Sequence, residues 1–334
     1  MSDLPAPEAA RVQRKVPASV RPRQLLERFG ALLVLVALIF FFSILLPATF
    51  PTYENLTTIL TTQDVLAILA IGLLVPLAAG EFDLSIGFVL GFTGMEVAVL
   101  TGVLHWHPVP AIVLTLATAV LIGLINGLLV VRVGINAFIA TLGVGTVLSG
   151  LTIWMSNGTV VYQGIPDLLL AIGRTQLLLL PLPVFYMIIV IIVFSYIMGH
   201  TPFGRYIYAV GGGREVARLA GINTDLLTVL AFTVSGFMAG IAGVLETATV
   251  GAAHPDVGPQ FLLPAFAAAF LGATTIQPGR FNVLGTVVAL FLLAVGIAGF
   301  QQLGAPFWVS PVFNGTALLI AVGLAVRRGS GRVH

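Results

Sequence analysis

Long apolar runs separated by short polar stretches recur along nearly the whole chain, and their length decides what they are. A helix needs about 20 mostly apolar residues to cross a bilayer, because lipid offers the backbone no hydrogen-bond partner outside the helix itself. Ten runs approach that length: 30–48, 65–79, 86–104, 110–131, 135–155, 177–198, 226–250, 260–276, 281–303 and 309–326. The second and eighth are short and contain Pro76 and Pro264, so broken or tilted spans, or halves of longer elements, are expected there. The pattern predicts an all-α, polytopic integral membrane protein with about ten transmembrane helices.

Composition agrees. The chain is 58% hydrophobic and 8% charged with a mean hydropathy of +1.08, whereas a soluble domain carries about 25% charged residues. It has no cysteine, which excludes disulfides, thiolate metal sites and a cysteine nucleophile. A net charge of +2 with pI near 9.2 is too small a basic excess to suggest a nucleic-acid partner. The placement of the basic residues is more informative, since cytoplasmic loops are enriched in Lys and Arg. With the N-terminus inside, Arg11, Arg14, Lys15, Arg21, Arg23, Arg28, Arg132, Arg205, Arg214, Arg218, Arg280, Arg327, Arg328 and Arg332 all fall on the cytoplasmic side, and only Arg174 falls outside. Glu54, Asp64, Asp167 and Asp256 are expected on outer loops, and Trp106, Trp154 and Trp308 near outer span ends. Both termini are then cytoplasmic and the span number is even. Residues 1–29, with Pro5, Pro7, Pro17 and Pro22, read as a disordered basic cytoplasmic tail that orients an uncleaved first span; 30–326 form the transmembrane domain and 327–334 a second cytoplasmic tail.

Much chemistry is excluded. Lys15 is the only lysine, so no G-x-x-x-x-G-K-[ST] phosphate loop exists in the chain. The triple glycine Gly211–Gly213 runs into Arg214, Glu215 and Val216 and fails the G-x-G-x-x-G pattern. His105 and His107 flank Trp106 without a third metal ligand nearby, and no H-E-x-x-H, G-x-S-x-G or paired-carboxylate signature is present. The chain is therefore expected to be neither an enzyme nor a metal or nucleotide binder. Within the spans only Glu96 and Glu246 read as ionisable. Such groups serve proton- or sodium-coupled carriers, or sit in a polar cavity or an interhelical hydrogen bond.

Three G-x-x-x-G pairs, Gly87/Gly91, Gly123/Gly127 and Gly236/Gly240, read as helix-packing contacts. Uncharged polar groups beside helix breaks stand out more: "GEFDLSIG" at 80–87, "NG" at 126–127, "GINAFIATLG" at 134–143 and "FNG" at 313–315. Neutral hydrogen-bonding groups at discontinuities suit a path for a neutral polar solute, a sugar better than an ion. Asp83, Ser85, Asn126, Asn136, Thr141 and Asn314 are the candidate path residues. The segment 199–225 is a cytoplasmic loop in which Arg214, Glu215 and Arg218 alternate with Val216, Ala217, Leu219 and Ala220. It predicts a short amphipathic helix ended by Gly221 at positive φ, with Gly211–Gly213 as a flexible lead-in. Such a helix lies on lipid or docks in a groove of a soluble partner.

Taken in order, "GEFDLSIG" (80–87), "NAFIATLGVGTVLSGL" (136–151), "TPFGRYIYAVGGGREVARLAGIN" (201–223), "SGFMAGIAGVL" (235–245) and "FNVLGTVVALFLLAVGIAGFQQL" (281–303) resemble the permease subunits of bacterial ribose-type ATP-binding-cassette importers, in the branched-chain amino acid and monosaccharide permease group. The resemblance covers about residues 50–326. It implies a chain of the bacterial cytoplasmic membrane that pairs with a second permease subunit, identical or not, to form the pore. A cytoplasmic ATPase would bind the ATP and magnesium, and an extracytoplasmic binding protein would deliver a monosaccharide. The family's coupling segment maps onto Gly204, Arg205, Glu215, Ala217, Arg218, Gly221, Ile222 and Asn223, and its D-L-S landmark onto Asp83, Leu84 and Ser85. That landmark is either a structural helix break or a solute contact. The chain departs from the family pattern at Gly213, Ala273, Pro278 and Phe281. Four spans before the external segment at 156–176 and four after the coupling loop are candidates for inverted repeats. A carrier using Glu96 and Glu246, or a membrane scaffold without transport, are the competing readings.

Overall fold

The computed structural model describes residues 22–330. Of the two expected tails, residues 1–21 and 331–334 lie outside this range. The helices are α1 (Pro22–Leu45), α2 (Tyr53–Ala78), α3 (Ile86–Ala98), α4 (Pro108–Leu128), α5 (Ala137–Ser156), α6 (Asp167–Arg174), α7 (Leu182–His200), α8 (Pro202–Gly212), α9 (Arg214–Leu219), α10 (Thr224–Val250), α11 (Val257–Gly272), α12 (Val283–Gln302) and α13 (Val309–Ser330). π-helical turns over Val99–Val103 and Leu129–Val133 prolong α3 and α4. A two-stranded antiparallel pair, β1 (Gln176–Leu177) and β2 (Leu180–Pro181), precedes α7, with Leu177 opposite Leu180. Eight helices among the described residues are long and apolar enough to cross a membrane, and the shorter apolar Val257–Gly272 and Val309–Gly323 bring the number to the expected ten.

Two expectations about boundaries change. α1 begins at Pro22, inside the segment expected to be tail; proline at a first helical position costs no hydrogen bond and presets φ. The second span is not short. α2 starts twelve residues earlier than its apolar run, because its threonines are satisfied within the helix: the hydroxyls of Thr57, Thr58, Thr61 and Thr62 donate to the carbonyl oxygens of Tyr53, Glu54, Thr57 and Thr58 at 2.8–2.9 Å. Asp64, expected on an outer loop, therefore lies inside α2 and is buried.

At the centre α10 packs against α2, α3 and α4, while α1, α5 and α7 lie at the periphery. Gly236 and Gly240 of α10 sit against Ala119 of α4, and Gly127 of α4 against Val229 of α10, at distances that leave no room for a Cβ. The G-x-x-x-G pairs are thus packing contacts, as expected. α3 packs on α4 and α5, and α11 packs on α12 and α13. Gly87 and Gly258, the second residues of α3 and α11, meet at the junction, where a Cβ on Gly87 would lie 2.7 Å from the Gly258 carbonyl oxygen. The one arginine expected outside, Arg174, closes the outer end of α10: its Nε donates to the Thr249 carbonyl at 3.0 Å and its Nη2 to that of Val250 at 2.5 Å. A cation at a helix C-terminus also complements the macrodipole.

Candidate functional site

The cytoplasmic segment after α7 is ordered by local signals. The Thr201 hydroxyl accepts from the Gly204 N–H at 3.4 Å and Pro202 opens α8. Ile207, Val210 and Ala217 pack into one apolar cluster with Ile71, Leu74 and Val75 of α2. Gly211 and Gly212 complete α8 rather than forming a flexible lead-in. A Cβ on Gly211 would strike the Ala78 carbonyl oxygen, so only glycine lets α8 approach the end of α2 this closely.

α9 ends in a Schellman motif: the Gly221 N–H donates to the Arg218 carbonyl at 2.9 Å and the Ile222 N–H to that of Ala217 at 3.1 Å, with Gly221 at φ +81°. Replacing Gly221 with valine forces a β-branched residue into the left-handed region at a cost of about 1–2 kcal/mol. Faster amide hydrogen exchange across 214–223 with unchanged exchange in the spans is expected; unaltered exchange there would contradict the motif's role.

The eight residues expected to form the coupling segment divide by position. Gly204, Ala217, Gly221, Ile222 and Asn223 hold the segment in place, Asn223 by accepting the Leu226 N–H at 3.0 Å as the cap of α10. Arg205, Glu215 and Arg218 are exposed, and Arg218 approaches Glu215 at 3.9 Å and Asp225 at 3.6 Å. Sequence reasoning missed two features. Val216 and Leu219 stand 72% and 88% exposed, so the apolar side of α9 faces outward and only Ala217 faces the bundle. Arg214 bridges three elements, with Nη1 3.1 Å from Glu81 Oε1 in the α2–α3 break and Nη2 3.1 Å from Asp225 Oδ1 at the start of α10. Burial raises the Glu81 carboxyl above its ordinary pKa, and the Arg214 charge opposes that shift.

Four of the six expected path residues meet at the α2–α3 break, two of them, Asp83 and Ser85, lying in it. Asp83 Oδ1 accepts from the Ser85 N–H at 3.0 Å and the Ser85 hydroxyl at 2.6 Å, while Oδ2 accepts from the Ser235 hydroxyl of α10 at 2.6 Å. Asn126 Nδ2 of α4 donates to Ser85 Oγ at 2.7 Å. Thr141 of α5 accepts the Leu84 N–H at 3.0 Å and donates to the Ala137 carbonyl at 2.7 Å. All four residues are buried; Asp83, Ser85 and Asn126 form one chain of side-chain hydrogen bonds, Thr141 bonds to backbone, and Asn126 Oδ1 has no partner among the described residues. Asn136 is elsewhere, exposed, capping α5 through the Phe138 N–H at 3.0 Å.

Asn314 belongs to a separate cavity of about 520 Å³ among α2, α11, α12 and α13, within the size range of small-molecule sites. Its polar walls are all uncharged: Asn55, Thr58, Thr62, Gln63, Gln301, Gln302, Ser310 and Asn314. Gln302 Nε2 donates to Asn55 Oδ1 at 2.7 Å and its Oε1 accepts from the Thr49 hydroxyl at 2.9 Å, fixing one wall. Gln301, Ser310 and Asn314 make no side-chain hydrogen bond among the described residues. These walls lie at the outer ends of α2, α12 and α13. Among the described residues no cluster of potential metal ligands occurs.

A membrane bundle with a buried polar break on its inner side and a neutral polar cavity on its outer side is built as a multi-pass transport protein. Comparison with known proteins narrows that class: the chain belongs to the family described as branched-chain amino acid transport system / permease component, whose model matches residues 55–322. The ribose import permease protein of Escherichia coli K12 is 34% identical over 295 residues, covering 87% of this chain and 90% of its own length. The ribose import permease protein of Bacillus subtilis 168 is 31% identical over 300 residues, covering 89% and 92%. The D-allose transport system permease protein of E. coli K12 is 29% identical over 300 residues, covering 89% and 91%. No solved structure matches the chain.

Proposed function

We propose that this chain is the membrane subunit of an ATP-binding-cassette importer in a bacterial cytoplasmic membrane, conducting a neutral monosaccharide of ribose-like kind. The observation that carries the reading is α9, a charged cytoplasmic helix whose two large apolar side chains, Val216 and Leu219, face away from the bundle. Exposed apolar groups ringed by Glu215 and Arg218 suit a groove on a soluble partner. That partner is a cytoplasmic ATPase, which binds the ATP and magnesium that this chain, with no phosphate loop, does not. A second permease subunit completes the pore, and an extracytoplasmic binding protein delivers the sugar to the outer face. The uncharged cavity around Asn314 supports a neutral polyhydroxylated solute, whose hydroxyls match amides without stranding a charge. The names of the ribose and allose relatives point the same way.

The test is docking. A Val216→Asp, Leu219→Asp chain is expected to lose copurification of the co-expressed ATPase by at least tenfold while its helical content and detergent melting temperature stay unchanged. Undiminished copurification would overturn the assignment of α9.

A further inference from the structure

The cytoplasmic end of α7 borders a second cavity, of about 210 Å³, that the transport reading leaves unused. Its lining includes Ser195 and His200 of α7, Tyr208 of α8, Gln277 and Arg280 of the α11–α12 turn, and Leu284 of α12.

The charge in it is permanent and fixed in place. The Arg280 guanidinium stacks 3.4 Å from the centre of the Tyr208 ring, and the Tyr208 hydroxyl donates to the Phe281 carbonyl at 2.6 Å. Arg205 brings a second guanidinium to the same end of α7, its Nη1 3.5 Å from the His200 carbonyl oxygen. Among the described residues no carboxylate pairs with either arginine, although Arg214 and Arg218 beside them are both paired. The Ser195 hydroxyl is buried at the cavity wall without a hydrogen-bond partner, unlike the helix threonines that bond back to their own backbone. The His200 ring stacks on Tyr196 at 5.6 Å and makes no side-chain hydrogen bond among the described residues. Two guanidinium groups that no carboxylate neutralises among the described residues thus lie at one end of α7, beside a buried hydroxyl without a partner.

The surroundings say what kind of acceptor fits. Ile192 and Tyr196 on α7 are each 63% exposed, and Leu284 on α12 is 51% exposed. Both helices are long and apolar enough to span, so these side chains face the hydrocarbon beside the cavity. A cationic pocket on the cytoplasmic side, opening onto an apolar helix surface, matches a phosphate with acyl chains attached. A neutral sugar gains nothing from unpaired guanidinium groups, and a free anion gains nothing from the apolar wall.

We propose that this cavity is a binding site for an anionic phospholipid of the inner leaflet, with the headgroup phosphate held by Arg280, His200 and Ser195 and the acyl chains along Ile192, Tyr196 and Leu284. The bound lipid would touch Tyr208 of α8, the helix that leads into α9, so membrane composition would act on the segment that meets the partner.

The full-length chain in detergent, given equal phosphatidylglycerol and phosphatidylethanolamine, is expected to retain phosphatidylglycerol selectively by native mass spectrometry. Arg280→Gln is expected to lower that retention about fivefold, the effect of one basic residue near an anionic surface. Arg132→Gln, which removes a cytoplasmic arginine from a different cavity, is expected to leave it unchanged. Ser195→Leu, which fills the cavity without altering charge, is expected to lower it as well and decides the matter if Arg280→Gln does not fold. Equal losses in the Arg280 and Arg132 variants would reduce the effect to diffuse surface charge and overturn the site. Retention unaffected by Ser195→Leu, or abolished by millimolar inorganic phosphate, would overturn it too, the latter by showing a free-anion site.

Discussion

A chain with Asp83 replaced by alanine is expected to lose solute uptake and about 3 kcal/mol of stability. Three donors, the Ser85 N–H, the Ser85 hydroxyl and the Ser235 hydroxyl, converge on this one carboxylate in a buried break. Removing the acceptor strands them, at about 1–3 kcal/mol for each buried group left unsatisfied, part of which relaxation recovers. Asp83→Asn keeps the shape and one acceptor oxygen, so a smaller loss is expected. The cluster ties the α2–α3 break to α4 and α10, so its failure loosens the packing of these elements on one another. Thermal unfolding in detergent, followed with uptake, checks this. An alanine variant that melts like wild type would show that Asp83 is not the organising acceptor.

The second large effect concerns Arg214 and Glu81. This pair joins α9 to the α2–α3 break two residues from Asp83, and on the proposed coupling role of α9 it would be the link through which movement of α9 reaches the polar cluster. Glu81→Ala and Arg214→Ala are each expected to cut solute moved per ATP hydrolysed by about tenfold, while the ATPase still copurifies. The double variant is expected to be no worse than either single one, since residues acting as one contact are not additive. Additive losses would contradict a shared link. Acidification works in the same direction: with the Glu81 pKa raised by burial, the carboxyl protonates at a higher pH than an exposed glutamate as pH falls, leaving Arg214 only Asp225.

The spans were legible because bilayer thickness sets a length that apolar runs either reach or miss. α2 was misjudged for the same reason: its first turns are threonine-rich, and hydropathy does not register that those hydroxyls bond to their own helix. The segment 201–223 announced itself through its arginines and the Gly221 stop, but not its outward face. A stretch as short as α9 gives no reading of which side packs, and burial fell to Ala217 alone. The three glycines before it read as flexibility because a close backbone approach by Gly211 depends on Ala78, far away in sequence. Asp83 and Ser85 were visible as a signature, yet their partners Ser235 and Asn126 lie 152 and 41 residues away, and Glu81 lies 133 residues from Arg214. Such pairings depend on helix rotation and crossing, which a pattern of apolar runs does not encode. Asn314 was singled out beside a break, whereas the cavity around it draws mostly on α2 and α12, whose polar groups had drawn no notice.

The central claim, transport driven by a partner's ATP hydrolysis, is tested most directly by sugar uptake into proteoliposomes holding this chain, its ATPase and its binding protein. Uptake of a neutral monosaccharide is expected only with ATP and magnesium on the ATPase side, is expected to be indifferent to proton and sodium gradients, and is expected to survive Glu96→Gln and Glu246→Gln. Uptake that runs on an ion gradient without ATP, and stops when either glutamate is replaced, would contradict the account and make the chain a secondary carrier.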